Sequence, residues 1–288
     1  MRTPSQDHSQ FDYARWLRDA VREVGAQVLV LDVRDDLSRE TVEGLRKEGL
    51  RIALLDDLGQ KRLSADLAFY PPIPQVRRLE WGGFTGKLFV GWEWVALRRQ
   101  FASIPSHTSH GRPTVLVTMG ASDPAGLTLM AVAALDRLGE DFDAVVVEGR
   151  GFSRHEELEA RLAGARRRFE LLRNVDDMAT LMARADLAVS SFGVTAYELA
   201  SAGVPAIHLC LTDDHAKSAL EFTRAGMAVT LGAAGNVTEE ALAGEVSRLL
   251  SDEATRRAMG EVGRSRVDGC GARRIARVIA NGMEEEAA

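Results

Sequence analysis

Short apolar runs alternate with segments of helical periodicity along almost the whole chain, and this alternation restricts the fold more than any other feature. QVLVLD (27–32), LRIALLDD (50–57), DLAFY (66–70) and KLFVG (87–91) read as strands. Phe11, Ala14, Leu17, Val21 and Val24 stand at helical spacing over 11–24, and a second helix over 38–49 opens at Ser38 and stops at Gly49. A short helix is expected around 93–101. TVLVTMG (114–120) starts a second series, with strands at 142–149, 169–174, 187–191, 206–211 and 228–232. Helices are expected at about 124–138, 154–165, 176–184, 195–202, 214–225, 238–251, 253–267 and 272–284, and the acidic run near the end as a solvated tail. Continuous apolar strands separated by helices imply parallel sheets covered on both faces. The polar, aperiodic stretch ASIPSHTSHGRP (102–113) reads as a linker. The expectation is an α/β chain of two Rossmann-like domains, 1–105 and 106–288, in keeping with its 288 residues. Ligands of such sheets bind at the carboxyl ends of the strands.

Charge and cysteine usage exclude several classes. The 36 Lys and Arg against 42 Asp and Glu give a net charge of −6, a poor start for general nucleic-acid binding. Cys210 and Cys270 are far apart and belong to no C-x-x-C pair, which excludes a disulfide framework or a cysteine zinc site. No apolar run reaches the roughly 18–20 residues of a membrane span. The opening MRTPSQDHSQ has no apolar signal core. The expectation is a cytoplasmic protein without nucleic-acid partner, transmembrane segment, metal or redox cofactor.

Four segments at strand ends carry candidate chemistry. In TMGASDP (118–124), Gly120, Ala121 and Ser122 allow close approach of a ligand, and the following helix N-terminus suits a phosphate. Asp123 as an ordinary N-cap with Pro124 at the first helical position is the competing reading. In SSFGVTAYELASAGVP (190–205), Thr195 and Glu198 have capping-box spacing, yet the Glu198 carboxylate is also placed to accept ribose hydroxyls. In LTDDHAKSA (211–219), Asp213 and Asp214 read as helix caps, with polar ligand contact, acid–base work by His215 or a metal as alternatives. Asp56-Asp57 reads chiefly as a turn. His8, His107, His110 and His155 have no partner at a recognisable spacing, and His208 reads as a satisfied core residue.

TMGASDPAGLT (118–128), NVDDMATLMARADLAVSSFGVTAYELASAGVPAIHL (174–209) and VDGCGARRIARVI (267–279) resemble a known group. It contains the UDP-sugar hydrolase of the pseudaminic acid pathway and the spore-coat polysaccharide protein SpsG, relatives of the GT-B glycosyltransferases. LRIALLDDLGQKRLSADLAFY (50–70) and WVALRRQF (94–101) are similar to segments of the group's first domain. The resemblance implies Gly120, Ala121 and Ser122 by a diphosphate, Val175 and Met178 beside uracil, Ser191, Gly193 and Thr195 on the phosphate side, and Glu198 on the ribose. Asp214 and His215 stand where relatives often carry Asn-Gln facing the sugar, and His215 is a substitute candidate for the catalytic base.

The group's first domain begins with a strand and a Gly-rich loop containing a histidine, thought to supply the base. This sequence has no such segment, so the expectation is an N-terminally truncated first domain with an exposed sheet edge that a partner chain or self-association covers. Three functions follow: hydrolysis of a UDP-sugar with release of UDP, glycosyl transfer from a UDP-sugar donor, or nucleotide-sugar binding without catalysis.

Overall fold

The computed structural model describes residues 12–33, 35, 37–105 and 111–287, with side chains to residue 281. The expectations for Phe11, His8, His107 and His110 lie outside the described residues. By contact density the chain divides into two units, one running to Trp94 and resuming at Ile275, the other spanning Val95–Arg274.

Among the described residues the first unit holds four parallel strands in the order β1-β2-β3-β4: β1 (Val28–Leu31), β2 (Arg51–Leu55), β3 (Leu67–Tyr70) and β4 (Lys87–Val90). Alternate side chains leave opposite faces of a strand, and the burial follows that rule. Ile52, Leu54, Ala68 and Tyr70 pack with Leu17 and Val21 of α1 (Tyr13–Glu23) and Val42 and Leu45 of α2 (Arg39–Lys47). Ala53, Leu67 and Phe69 face Ile275, Val278 and Ile279 of α10 (Gly271–Ala287). That last helix continues through the acidic run that the sequence suggests as a tail. Asp12 and Ser38 cap α1 and α2 by accepting from the amides of Arg15 and Thr41.

The helix expected around 93–101 is instead two 3-10 turns, Trp92–Trp94 and Arg99–Ala102. Val95 and Leu97 between them are both buried, the spacing of extended chain rather than of a helix face.

Among the described residues the second unit holds six parallel strands: β5 (Thr114–Thr118), β6 (Asp143–Glu148), β7 (Phe169–Arg173), β8 (Leu187–Ser191), β9 (Ala206–Cys210) and β10 (Ala228–Ala233). Their order is β10-β9-β8-β5-β6-β7. Val115, Val117, Val146, Val189 and Ile207 bury one face against α3 (Leu127–Asp136) and α8 (Glu239–Ser251). The connecting helices are α4 (His155–Ala163), α5 (Met178–Met182), α6 (Val194–Ala202) and α7 (Asp213–Ala225), with α9 (Glu253–Arg266) after α8. Among the described residues no helix is long and apolar enough to cross a membrane.

Candidate functional site

The order of the six-stranded sheet contains one reversal. From β5 the chain steps outward through β6 to β7, then returns to lay β8 on the other side of β5 and steps outward again through β9 to β10. The connections after β5 and β8 therefore diverge and leave a crevice at the carboxyl ends of that pair, where open parallel sheets bind ligands. Thr118 and Ser190 are register partners, so the loops beginning at Met119 and Ser191 leave side by side. Gly120 stands at φ +77, a left-handed conformation that suits glycine, and a Cβ there would come 3.7 Å from the Ser191 hydroxyl. Ala121 and Ser122 are exposed at the same rim.

Two helices begin at this crevice, and their ends differ. The α3 end is internally satisfied. Asp123, at φ +42 and only 5% exposed, accepts from the amides of Leu127 and Thr128 at 2.8 Å each. The helix starts at Leu127, three residues after Pro124, so Asp123 is not the ordinary N-cap expected, and two amides expected to face a phosphate are already bonded. The α6 end is different. Gly193 opens it with no side-chain cap, and a Cβ on Gly193 would meet nothing within 4 Å. An uncapped helix start beside open space leaves the positive end of the helix dipole at this rim.

The capping box read from Thr195 and Glu198 does not form, because the helix already begins at Val194. Glu198 is 7% exposed and takes Arg98 as its partner, with Nη2 at 3.0 Å and Nε at 3.3 Å from Oε1. Sequence reasoning missed this pair. The arginine stands in the WVALRRQF segment, a hundred residues upstream, and nothing local connects the two.

Val175 and Met178 lie at the carboxyl end of β7, two strands out from β5, and α5 packs beside α6. Asp177 caps α5 by accepting from the Thr180 amide and hydroxyl. These bonds, the hydroxyl's first, hold its carboxyl below the usual range, and the Arg98 charge adds to the effect.

At the β9 end the cap is Thr212, which accepts from the His215 amide at 3.1 Å, and not the aspartates expected. Asp214 is exposed and pairs with Lys217. The half-buried His215 ring lies 6.1 Å from the Phe192 ring, and its Nδ1 is buried without a partner. His208 on β9 is fully buried and only half satisfied. Its Nδ1 bonds the Ser190 hydroxyl at 3.0 Å while Nε2 has no partner. Burial pulls its pKa down to about 3, so the ring is neutral. His155 has a partner after all, the buried Glu148 at 2.9 Å, which Arg173 also reaches at 3.2 Å. Burial keeps the Cys210 thiol protonated, and Cys270 is free. Among the described residues no cluster of His, Cys, Asp and Glu is arranged to hold a metal.

Asp56-Asp57 belongs to a separate cavity of about 650 Å³ in the first unit, at the carboxyl ends of β1 and β2. Asp56 has φ +48. Lys61, 3% exposed, pairs with Asp35 and, at 2.9 Å, with Asp57. Burial pulls the ammonium pKa down, but the bonds it donates to Asp35 and Asp57 outweigh this and hold the pKa above its ordinary value. The turn expected at Asp57 is thus also a buried ion-pair cluster.

No protein-family model matches the chain. It is 31% identical over 174 residues to the spore coat polysaccharide biosynthesis protein SpsG of Bacillus subtilis, a match covering 60% of this chain and 51% of that one. It is 32% identical over 175 residues to a UDP-N-acetylglucosamine–N-acetylmuramyl-(pentapeptide) pyrophosphoryl-undecaprenol N-acetylglucosamine transferase of Sorangium cellulosum, covering 58% of this chain and 43% of that one. The chain spans about half or less of the length of these curated relatives. Among solved structures it matches a UDP-N-acetylglucosamine 2-epimerase from Listeria monocytogenes with TM-score 0.69 at 16% identity, covering 94% of this chain and 78% of that one. It matches Acinetobacter baumannii MurG with TM-score 0.69 at 16% identity, over 93% and 77% of the two chains. Anabaena HepE in complex with UDP-glucose matches with TM-score 0.58 at 13% identity, over 93% and 82%. The α/β architecture with two parallel sheets is the GT-B glycosyltransferase-like fold.

Proposed function

We propose that this chain binds a nucleotide-sugar, a UDP-sugar, and acts on the bond between sugar and diphosphate in polysaccharide synthesis. The β5/β8 crevice carries the reading: an uncapped helix start and a rim of small residues meet at one sheet reversal, with a buried carboxylate about one turn along the same helix. In this reading the diphosphate lies against Gly120, Ala121 and Ser122 and the first amides of α6, with Ser191, Gly193 and Thr195 on the phosphate side. Glu198 accepts from the ribose, Val175 and Met178 border the uracil, and Asp214 stands toward the sugar. The name of the Bacillus relative supports the polysaccharide setting, and the transferase activity named for the Sorangium relative and the UDP-glucose bound to HepE support the ligand class.

The chemistry is a displacement at the anomeric carbon. Its bond to the β-phosphate oxygen breaks, the electron pair leaves with UDP, and the α6 amides hold the charge that develops. A new bond forms to an acceptor oxygen, whose proton passes to a base. His215 is the candidate base, since its Nδ1 is buried without a partner near the start of α7. An acceptor hydroxyl makes the protein a glycosyltransferase, the reading that the Sorangium relative favours. Water makes it a UDP-sugar hydrolase, the reading that the sequence resemblance favours.

Calorimetric titration with UDP, with CDP and ADP as controls, tests the ligand. Selective UDP binding is expected, and Glu198→Ala is expected to weaken it by about tenfold or more, the worth of hydrogen bonds to a charged acceptor. A folded chain that ignores UDP would overturn the assignment. Incubation with UDP-N-acetylglucosamine, with and without acceptor sugars, then separates release of UDP to water from transfer.

A further inference from the structure

We propose that Arg98 is a positioning residue for Glu198, so that preference for ribose over deoxyribose depends on an arginine a hundred residues upstream in the chain. The inference rests on the nucleotide reading above.

A carboxylate as buried as Glu198 requires a counter-charge, and Arg98 supplies it. Both guanidinium donors fall on one oxygen, Oε1. A carboxylate oxygen offers about two acceptor sites, so Oε1 is filled. Among the described residues Oε2 has no partner, and its two acceptor sites match the two vicinal hydroxyls of a ribose. Arg98 thereby fixes the plane of the carboxylate and leaves the free oxygen for the sugar ring.

The arginine is itself held in place. Phe101, 1% exposed, accepts from the Ser201 hydroxyl at 3.1 Å, and Ser201 lies one turn beyond Glu198 on α6. The Arg98 guanidinium lies over the Phe101 ring at 5.5 Å. Behind the segment, a Cβ on Gly269 would come 2.0 Å from the Phe101 carbonyl, and one on Gly271 2.0 Å from the Val95 carbonyl. Residues 95–101 thus form a strap clamped against the turn at 269–271 and tied to the helix whose carboxylate it orients. The charge of Arg98 also reaches Asp177 at the start of α5, beside Met178.

The test measures affinities for UDP and 2′-deoxy-UDP on the wild-type chain, Arg98→Ala, Arg98→Gln and Arg98→Lys, with thermal unfolding recorded for each. The wild type is expected to prefer UDP by about tenfold or more, as a hydroxyl bonded to a charged acceptor warrants. Arg98→Ala and Arg98→Gln are expected to lose most of that preference, and Arg98→Lys to recover part of it. A merely structural role would weaken both nucleotides alike and leave the ratio intact, which would overturn the proposal. Tighter UDP binding by Arg98→Ala would overturn it too, by making the arginine a competitor of the ribose. A wild type that binds UDP without preferring it to the deoxy form would overturn the ribose role of Glu198 and this inference together. A wild type that binds neither nucleotide removes the underlying reading, an outcome distinct from binding with an unchanged ratio.

Discussion

Asp123 and Glu198 are both buried carboxylates near helix starts, and they are used in opposite ways. Asp123 spends both oxygens on its own backbone, while Glu198 meets a distant arginine and keeps one oxygen open. Local sequence rules offer a cap as one reading of each: it comes close at Asp123, whose partners lie four and five residues on, and fails at Glu198, whose partner lies outside any local window. Asp123→Ala removes two bonds to a charged acceptor and leaves two amides near the helix start unpaired. A loss of about 2–3 kcal/mol is expected in denaturant unfolding, above the roughly 0.5–2 kcal/mol of an ordinary cap. A loss under about 0.5 kcal/mol would show that the carboxylate is not what closes this end of α3.

Among the described residues all ten strands are legible in the sequence as short apolar runs, whether buried on both faces like β3 and β9 or partly exposed like β4 and β7. Helix starts are less legible. Pro124 signals a first turn, but the Asp123 loop postpones it to Leu127. The segment at 93–101 has the composition of a helix and the burial of a strap. The periodicity at 272–284 marks a helix without marking the sheet it covers, which Ile275, Val278 and Ile279 decide by packing on the first. The open start of α6 gives a test at this scale. Gly193 has an extended backbone, at φ 171, and a Cβ there meets nothing, so Gly193→Ala is expected to unfold like the wild type. In the proposed reading the diphosphate approaches at this position, and UDP affinity is expected to fall about tenfold, ~1.4 kcal/mol. Unchanged affinity would move the phosphate away from α6.

Across the whole molecule, pH enters through the core beneath the crevice. His208 is neutral in the fold with a pKa of about 3, against an ordinary value of 6.5. Between these values the unfolded chain binds a proton that the folded one does not, so stability falls as pH drops below 6.5. The slope reaches at most about 1.4 kcal/mol per pH unit from this group. Unfolding of wild type and His208→Gln between pH 7 and about 4 is expected to show a shallower loss in the variant; parallel curves would assign the acid sensitivity elsewhere. Strand order is the property of this scale that the sequence did not display. Alternation of strand and helix implies parallel sheets, but the reversal between β5 and β8 appears only when the sheet is assembled. The cavity by Lys61 competes with that reversal as a binding place, since it too lies at carboxyl strand ends. Hydrogen exchange with and without UDP decides between them. The account predicts slowed exchange at Gly120–Ser122 and Gly193–Thr195; protection confined to residues 56–61, with the crevice amides unchanged, would contradict it.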